Sequence, residues 1–143
     1  MKPRTLRLGV VLALALAGAV GIDAAVDSPR TLMSRDDYRR DGLVIESQIR
    51  GEMEGCHAMR GATRELCRAQ VRADERVRKA DLAALYYGTV DSARQARLAR
   101  VSAAHDIARA KCAARFAGAG NDCLRVAREQ SVLATAQARL TSP

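Results

Sequence analysis

From position 34 onward, apolar residues recur at steps of three and four, the spacing that puts side chains on one face of a 3.6-residue helix. Tyr38, Ile45, Ile49, Met53 and Cys56 share such a face, with Ser34 placed to cap the helix and Asp36 and Asp37 in its first turn. Gly61-Ala62-Thr63 reads as a turn with Thr63 as the next cap. Leu66, Ala69, Ala73, Val77, Ala80, Ala84 and Tyr87 form a second stripe. Gly88 ends it, because glycine adopts the left-handed conformation that stops a helix at little cost. Asp91 or Ser92 caps a third helix, whose stripe is Leu98, Val101, Ala104 or His105, Ala108 and Cys112. Ala117-Gly118-Ala119-Gly120 marks another turn, capped by Asn121. The fourth helix carries a thin heptad-like seam of Cys123, Val126, Gln130, Leu133, Gln137 and Leu140. No stretch shows the two-residue alternation and β-branched enrichment of a strand. The pattern therefore predicts an all-α protein of two antiparallel helical hairpins, 34–87 and 91–140, set as a four-helix bundle or as an elongated coiled-coil-like array.

The first 25 residues follow a different rule. Lys2, Arg4 and Arg7 precede an uncharged run from Leu8 to Ile22, and small residues cluster from Ala17 to Ala25. A basic lead, an apolar core and a small-residue exit are the parts of a secretory signal peptide. The run makes a helix of about 22 Å, short of the ~30 Å hydrocarbon core of a bilayer. The expected organisation is a signal peptide at 1–25, a flexible leader at 26–33, a helical domain at 34–143, and no membrane span after cleavage. Such a protein works in the periplasm or is secreted.

Composition changes the picture in one respect. The chain has 143 residues and 48% hydrophobic content, but much of that is Ala, and aromatic residues make up only 3%. A core this thin needs help from cross-links or a partner. The four cysteines are the obvious source. Cys56 and Cys67 have the same separation as Cys112 and Cys123, and each pair brackets a glycine-containing turn. The equal spacing reads as a duplicated hairpin, although few other identities accompany it. Export puts these thiols in an oxidising compartment, where disulfides form. A tight hairpin brings two helix ends to disulfide distance, which favours Cys56 with Cys67 and Cys112 with Cys123. Each closed loop contributes about 3 kcal/mol in the chain-entropy account. An up-down-up-down arrangement puts both turns at one end, so pairing across the hairpins stays open. A Cys/His metal site using His57 or His105 lacks the short spacing of structural zinc sites, and no metal or other cofactor is expected.

With 24 Lys and Arg against 16 Asp and Glu, the net charge is +8. Arg60, Arg64, Arg68, Arg72 and Arg76 recur every four residues and form a basic ridge. Outside the cytoplasm its partners would be lipid headgroups, lipopolysaccharide or an acidic protein; its plainer reading is a solvated face. Nucleic acid is not expected, because no binding motif and few stacking aromatics are present. Enzyme chemistry is not expected either: there is no phosphate loop, nucleophile elbow or short-spaced thiol pair. Glu52 and Glu54 point in different directions on a helix. Tyr86-Tyr87 either plugs the end of the helical array or anchors a partner.

Gly120-Asn121-Asp122-Cys123, followed by Arg128-Glu129, resembles the turn segments of small, exported, Ala- and Arg-rich helical proteins of proteobacteria with paired Cys around turns. Gly61-Ala62-Thr63-Arg64-Glu65-Leu66-Cys67 departs from that pattern by lacking the Gly-Asn step. The resemblance implies a helical exported protein and no particular activity. The function expected from the sequence is thus structural or interaction-based and non-enzymatic, by self-association or with an unidentified partner. The alternatives are a binding module for anionic envelope components and a periplasmic metal or redox protein.

Overall fold

Serine at position 34 starts the first helix as its spacing predicts. Its hydroxyl accepts from the Asp37 backbone N–H at 3.1 Å and donates to the Asp37 carboxylate at 2.8 Å. The computed structural model describes residues 32–116 and 121–141, and these form four helices: α1 (Arg35–His57), α2 (Gly61–Tyr87), α3 (Val90–Phe116) and α4 (Asn121–Leu140). The protein is all-α, with antiparallel neighbours. The signal peptide expected at 1–25, most of the leader expected at 26–33 and the turn expected at 117–120 lie outside the described residues.

Local chemistry sets the helix ends, with three departures from expectation, one being that Asn121, expected as a cap, is the first residue of α4. α2 begins at Gly61, so Thr63 lies inside its first turn rather than capping it, and no side chain caps the start. Gly61 has φ 56°, a left-handed value that favours glycine. At α3 the cap is Thr89. Its hydroxyl accepts from the Ser92 N–H at 3.1 Å while the Ser92 hydroxyl accepts from the Thr89 N–H at 3.1 Å, a reciprocal box that satisfies two amide donors. Gly88 ends α2 in the left-handed region, φ 60° and ψ 21°.

Each helix packs only on its neighbours in sequence: α1 on α2, α2 on α3, and α3 on α4. The side chains explain why. α2 meets α1 through Cys67, Val71 and Arg78. It meets α3 through Arg76, which donates to Ser102 at 2.7 Å and to Asp106 at 2.8 Å. At 100° per residue these two sets lie on opposite sides of α2. α3 behaves likewise. Ser102 and Asp106 turn to α2, whereas Arg97, His105 and Cys112 turn to α4. The bundle is consequently an open row with α1 and α4 at its edges.

Burial follows from this layout. Ile49, Cys56 and Val71 form an apolar cluster between α1 and α2, with Ile45, Met53 and Cys67 packed around it. The rest of the core is mostly alanine: Ala73, Ala96, Ala103, Ala127 and Ala138, together with Leu82 and Cys112. Small side chains let long helices lie close while burying little area per residue.

Candidate functional site

Because α2 and α3 run antiparallel, both outer turns fall at one end of the row, and both disulfides lie there. Cys56 joins Cys67 with Cα atoms 5.6 Å apart, and Cys112 joins Cys123 at 5.7 Å. Each clip ties an edge helix to the central α2–α3 hairpin, and pairing is within each turn. The sulfurs differ in surroundings. Cys56 is fully enclosed by the α1–α2 cluster. Cys112 and Cys123 border an open cleft of about 1060 Å³, lined also by Leu66, Ala108, Ala114 and Val126.

The metal and redox alternative finds its donors already engaged. All four thiols are spent in disulfides, and no group of three or more His, Cys, Asp or Glu side chains converges among the described residues. His57 is exposed beside Cys56, and the His105 Nδ1 lies 3.2 Å from the Ala127 carbonyl, bridging α3 and α4.

The arginine ridge does not stay one surface. A step of four residues advances 40° around a helix, so Arg60 and Arg76 are separated by about 160°. Arg64 turns back to the Met59 carbonyl at 2.7 Å, and Arg68 lies 3.6 Å from Glu65. Arg76 is drawn into the α2–α3 seam by Asp106, with both side chains half-exposed. Arg60 and Arg72 have no ion-pair partner among the described residues.

Ion pairs across the helices are otherwise frequent and superficial. Arg78 reaches Glu52 at 3.2 Å and Gln48 at 2.9 Å, while Arg100 reaches Asp81 at 2.7 Å. No charged side chain is buried among the described residues. The shifted groups are held in their charged forms. A hydrogen bond from Ser34 and the Arg40 guanidinium keep Asp37 below the usual carboxylate range. A hydrogen bond to Glu75, aided by its charge and that of Glu46, raises Lys79. Bonds to Glu129 and Asp122 raise Arg125. None of these is a group poised to exchange a proton near neutrality.

At the opposite end of the row, Tyr86 stacks on Tyr38 with ring centroids 4.4 Å apart and closes the α1–α2 seam. Tyr87 packs edge-on to it and remains half-exposed. The Leu32 N–H donates to the Leu85 carbonyl at 3.3 Å, laying the start of the described chain against the same end.

Only part of the seam expected on α4 faces outward, since Cys123 is tied to α3 and Val126 and Gln130 line the cleft beside it. α4 packs on α3 through Cys123, Ala127 and the Ala138 turn, where Arg97 donates to the Ala138 and Thr141 carbonyls at 3.3 and 2.6 Å. Val126 (43% exposed), Leu133 (71%) and Leu140 (83%) stay uncovered, as does Val132 (63%). Sequence periodicity found the seam without saying which way it faces. It also missed Val71 and Leu82, the second stripe of α2.

No protein-family model, curated protein or solved structure matches the chain.

Proposed function

We propose that this chain is an exported, non-enzymatic helical protein of structural or interaction type, with α4 as its working surface. The carrying observation is the outer part of the α4 seam, where Leu133 and Leu140 are 71% and 83% exposed on an edge helix. Two disulfides suit an oxidising, non-cytoplasmic compartment and stiffen the display of this edge helix. Periplasmic residence or secretion follows if residues 1–25 act as a cleaved signal.

The test is site-specific photo-crosslinking in intact cells, with the probe at position 133 or at position 72 of the full chain. Crosslinked protein from 133 and none from 72 supports the reading. Crosslinks from 72 alone, or from neither, overturn it. Intact-mass measurement of the processed protein reports whether residues 1–25 are removed.

A second reading, binding to anionic envelope components, rests on Arg60 and Arg72, which carry free positive charge near the disulfide end. It now concerns Arg60, Arg64, Arg68 and Arg72, with Arg76 engaged by Asp106. It requires salt-sensitive binding to phosphatidylglycerol vesicles that is lost when Arg64, Arg68 and Arg72 are changed to Gln.

A further inference from the structure

We propose that the α4 seam is a self-association surface and that its occupant is α4 of a second copy, aligned parallel and in register. This rests on the interaction reading above and names the partner.

The seam has a true heptad order. Cys123, Gln130 and Gln137 recur every seven residues, and Val126, Leu133 and Leu140 recur every seven on the adjoining row; Cys123 is held to α3 by its disulfide, so the free seam is the stretch from Val126 to Leu140. Alternate steps of three and four define the a and d positions of a coiled coil, so the complement they call for is another helix. The chain does not supply that helix itself: α1 and α2 do not reach α4, and α3 takes the alanine side.

The two glutamines choose between occupants. A lipid surface would leave the carboxamides of Gln130 and Gln137 in apolar surroundings without partners, which is costly. In a parallel, in-register pair each glutamine meets its own copy. A carboxamide carries both donor and acceptor, so the two satisfy each other and set the register. Val126, Leu133 and Leu140 then meet their own counterparts at the d layers. A foreign helix would need the same polar positions at the same spacing, which the second copy has by construction.

Charge does not oppose the pairing locally. Arg125 lies 3.0 Å from Glu129 and 3.4 Å from Asp122, so this charge beside the seam is balanced within α4. A seam of one 20-residue helix is a small interface, and the expected dissociation constant is on the order of 10 μM.

The test is sedimentation of the oxidised, processed protein from about 1 to 200 μM, in low and high salt. A monomer–dimer equilibrium that salt leaves nearly unchanged is expected. Leu133→Glu should weaken association at least about a hundredfold, and Gln130→Leu should tighten it about tenfold by removing a buried polar pair. Leu133 is 71% exposed, so its variant keeps the fold, which circular dichroism checks. Monomer throughout the range, or association indifferent to both substitutions, overturns the inference. So does a monomer that binds phosphatidylethanolamine–phosphatidylglycerol vesicles through Leu133. If the protein is monomeric yet position 133 still crosslinks in cells, this inference falls and the interaction reading stands.

Discussion

The α1–α2 and α3–α4 hairpins carry the same cysteine spacing and nearly the same Cα separation across their disulfides, yet they are sealed in different ways. In the first, Ile45, Ile49 and Met53 close over Val71 and the Cys56–Cys67 bridge, and Tyr38 stacks on Tyr86. In the second, alanines face alanines and polar links to main-chain carbonyls hold α4, while valine and leucine remain outside. The clip fixes where two helices meet. The size of the side chains on the facing surfaces then decides whether the apolar residues are used for cohesion or left for a partner. The larger apolar cluster lies at the α1 edge, while α4 keeps its most exposed leucines, Leu133 and Leu140, for other contacts.

Removing the clips tests this contrast most severely. The two loops are equal in length, so the chain-entropy account assigns each about 3 kcal/mol. Cys56→Ala/Cys67→Ala should leave α1 seated by its apolar cluster. Cys112→Ala/Cys123→Ala should free α4, seen as lost amide-exchange protection confined to residues 121–141. With both clips removed, no cooperative thermal transition is expected. Graded reductant with thiol alkylation and mass mapping should open Cys112–Cys123 first, because it borders the open cleft. Simultaneous opening, or equal loss of protection in α1 and α4, would erase the distinction between the hairpins.

Single side chains give the next largest effect. Ile49 is 7% exposed, and Ile49→Ala should cost roughly 2–3 kcal/mol in denaturant unfolding. Leu133→Ala, at a residue 71% exposed, should stay within about 0.5 kcal/mol. A large loss from Leu133→Ala in the monomer would show that the seam already holds the fold.

Why the α1 stripe is buried while much of the α4 seam is not is a matter of helix geometry. The α1 stripe was legible because its large residues and Cys56 point the same way, and α2 supplies a matching stripe. On α4, Cys123 belongs to both candidate faces. A seven-residue repeat drifts about 20° per heptad from a straight helix face, so Leu133 and Leu140 wind away from the side that Cys123 pins to α3. Ala127 and Ala138 stay on that side, and alanine gives little periodic signal in an alanine-rich chain. Arg76 was misplaced for a related reason. The 40° advance per step ends the ridge on the α3 side, and a partner thirty residues away, Asp106, leaves no local mark. The all-α class, by contrast, rests on caps, glycine stops and the lack of strand-like alternation, which act locally and need no tertiary knowledge.

The cohesive edge also carries its own weakness, since α1 contains glycines inside the helix. At Gly51 a Cβ would meet nothing within 4 Å, so the glycine serves no close approach. Gly51→Ala should stabilise the protein by about 0.5–1 kcal/mol, chiefly by restricting the unfolded chain. A thermal melt that does not rise would mean that the α1–α2 hairpin needs curvature or give at this point.

The smallest effect lies at the start of α1, where Asp37 accepts from Ser34 and faces Arg40 at 2.5 Å. Its carboxyl is held below the usual range first by the Ser34 hydrogen bond and then by Arg40, so its folded pKa lies beneath its unfolded one. Stability from such a group is present above the unfolded pKa and is lost as pH falls through the folded value. Asp37→Asn should therefore lower the melting temperature slightly at pH 7, and the difference should close as pH falls through the lowered folded pKa. Because Asp37 is exposed at a helix start, salt should narrow the pH 7 difference as well. A difference that persists at low pH would assign the effect to the shape of the cap rather than to its charge. The anchoring of α1 would then rest on Ser34 and the apolar cluster alone.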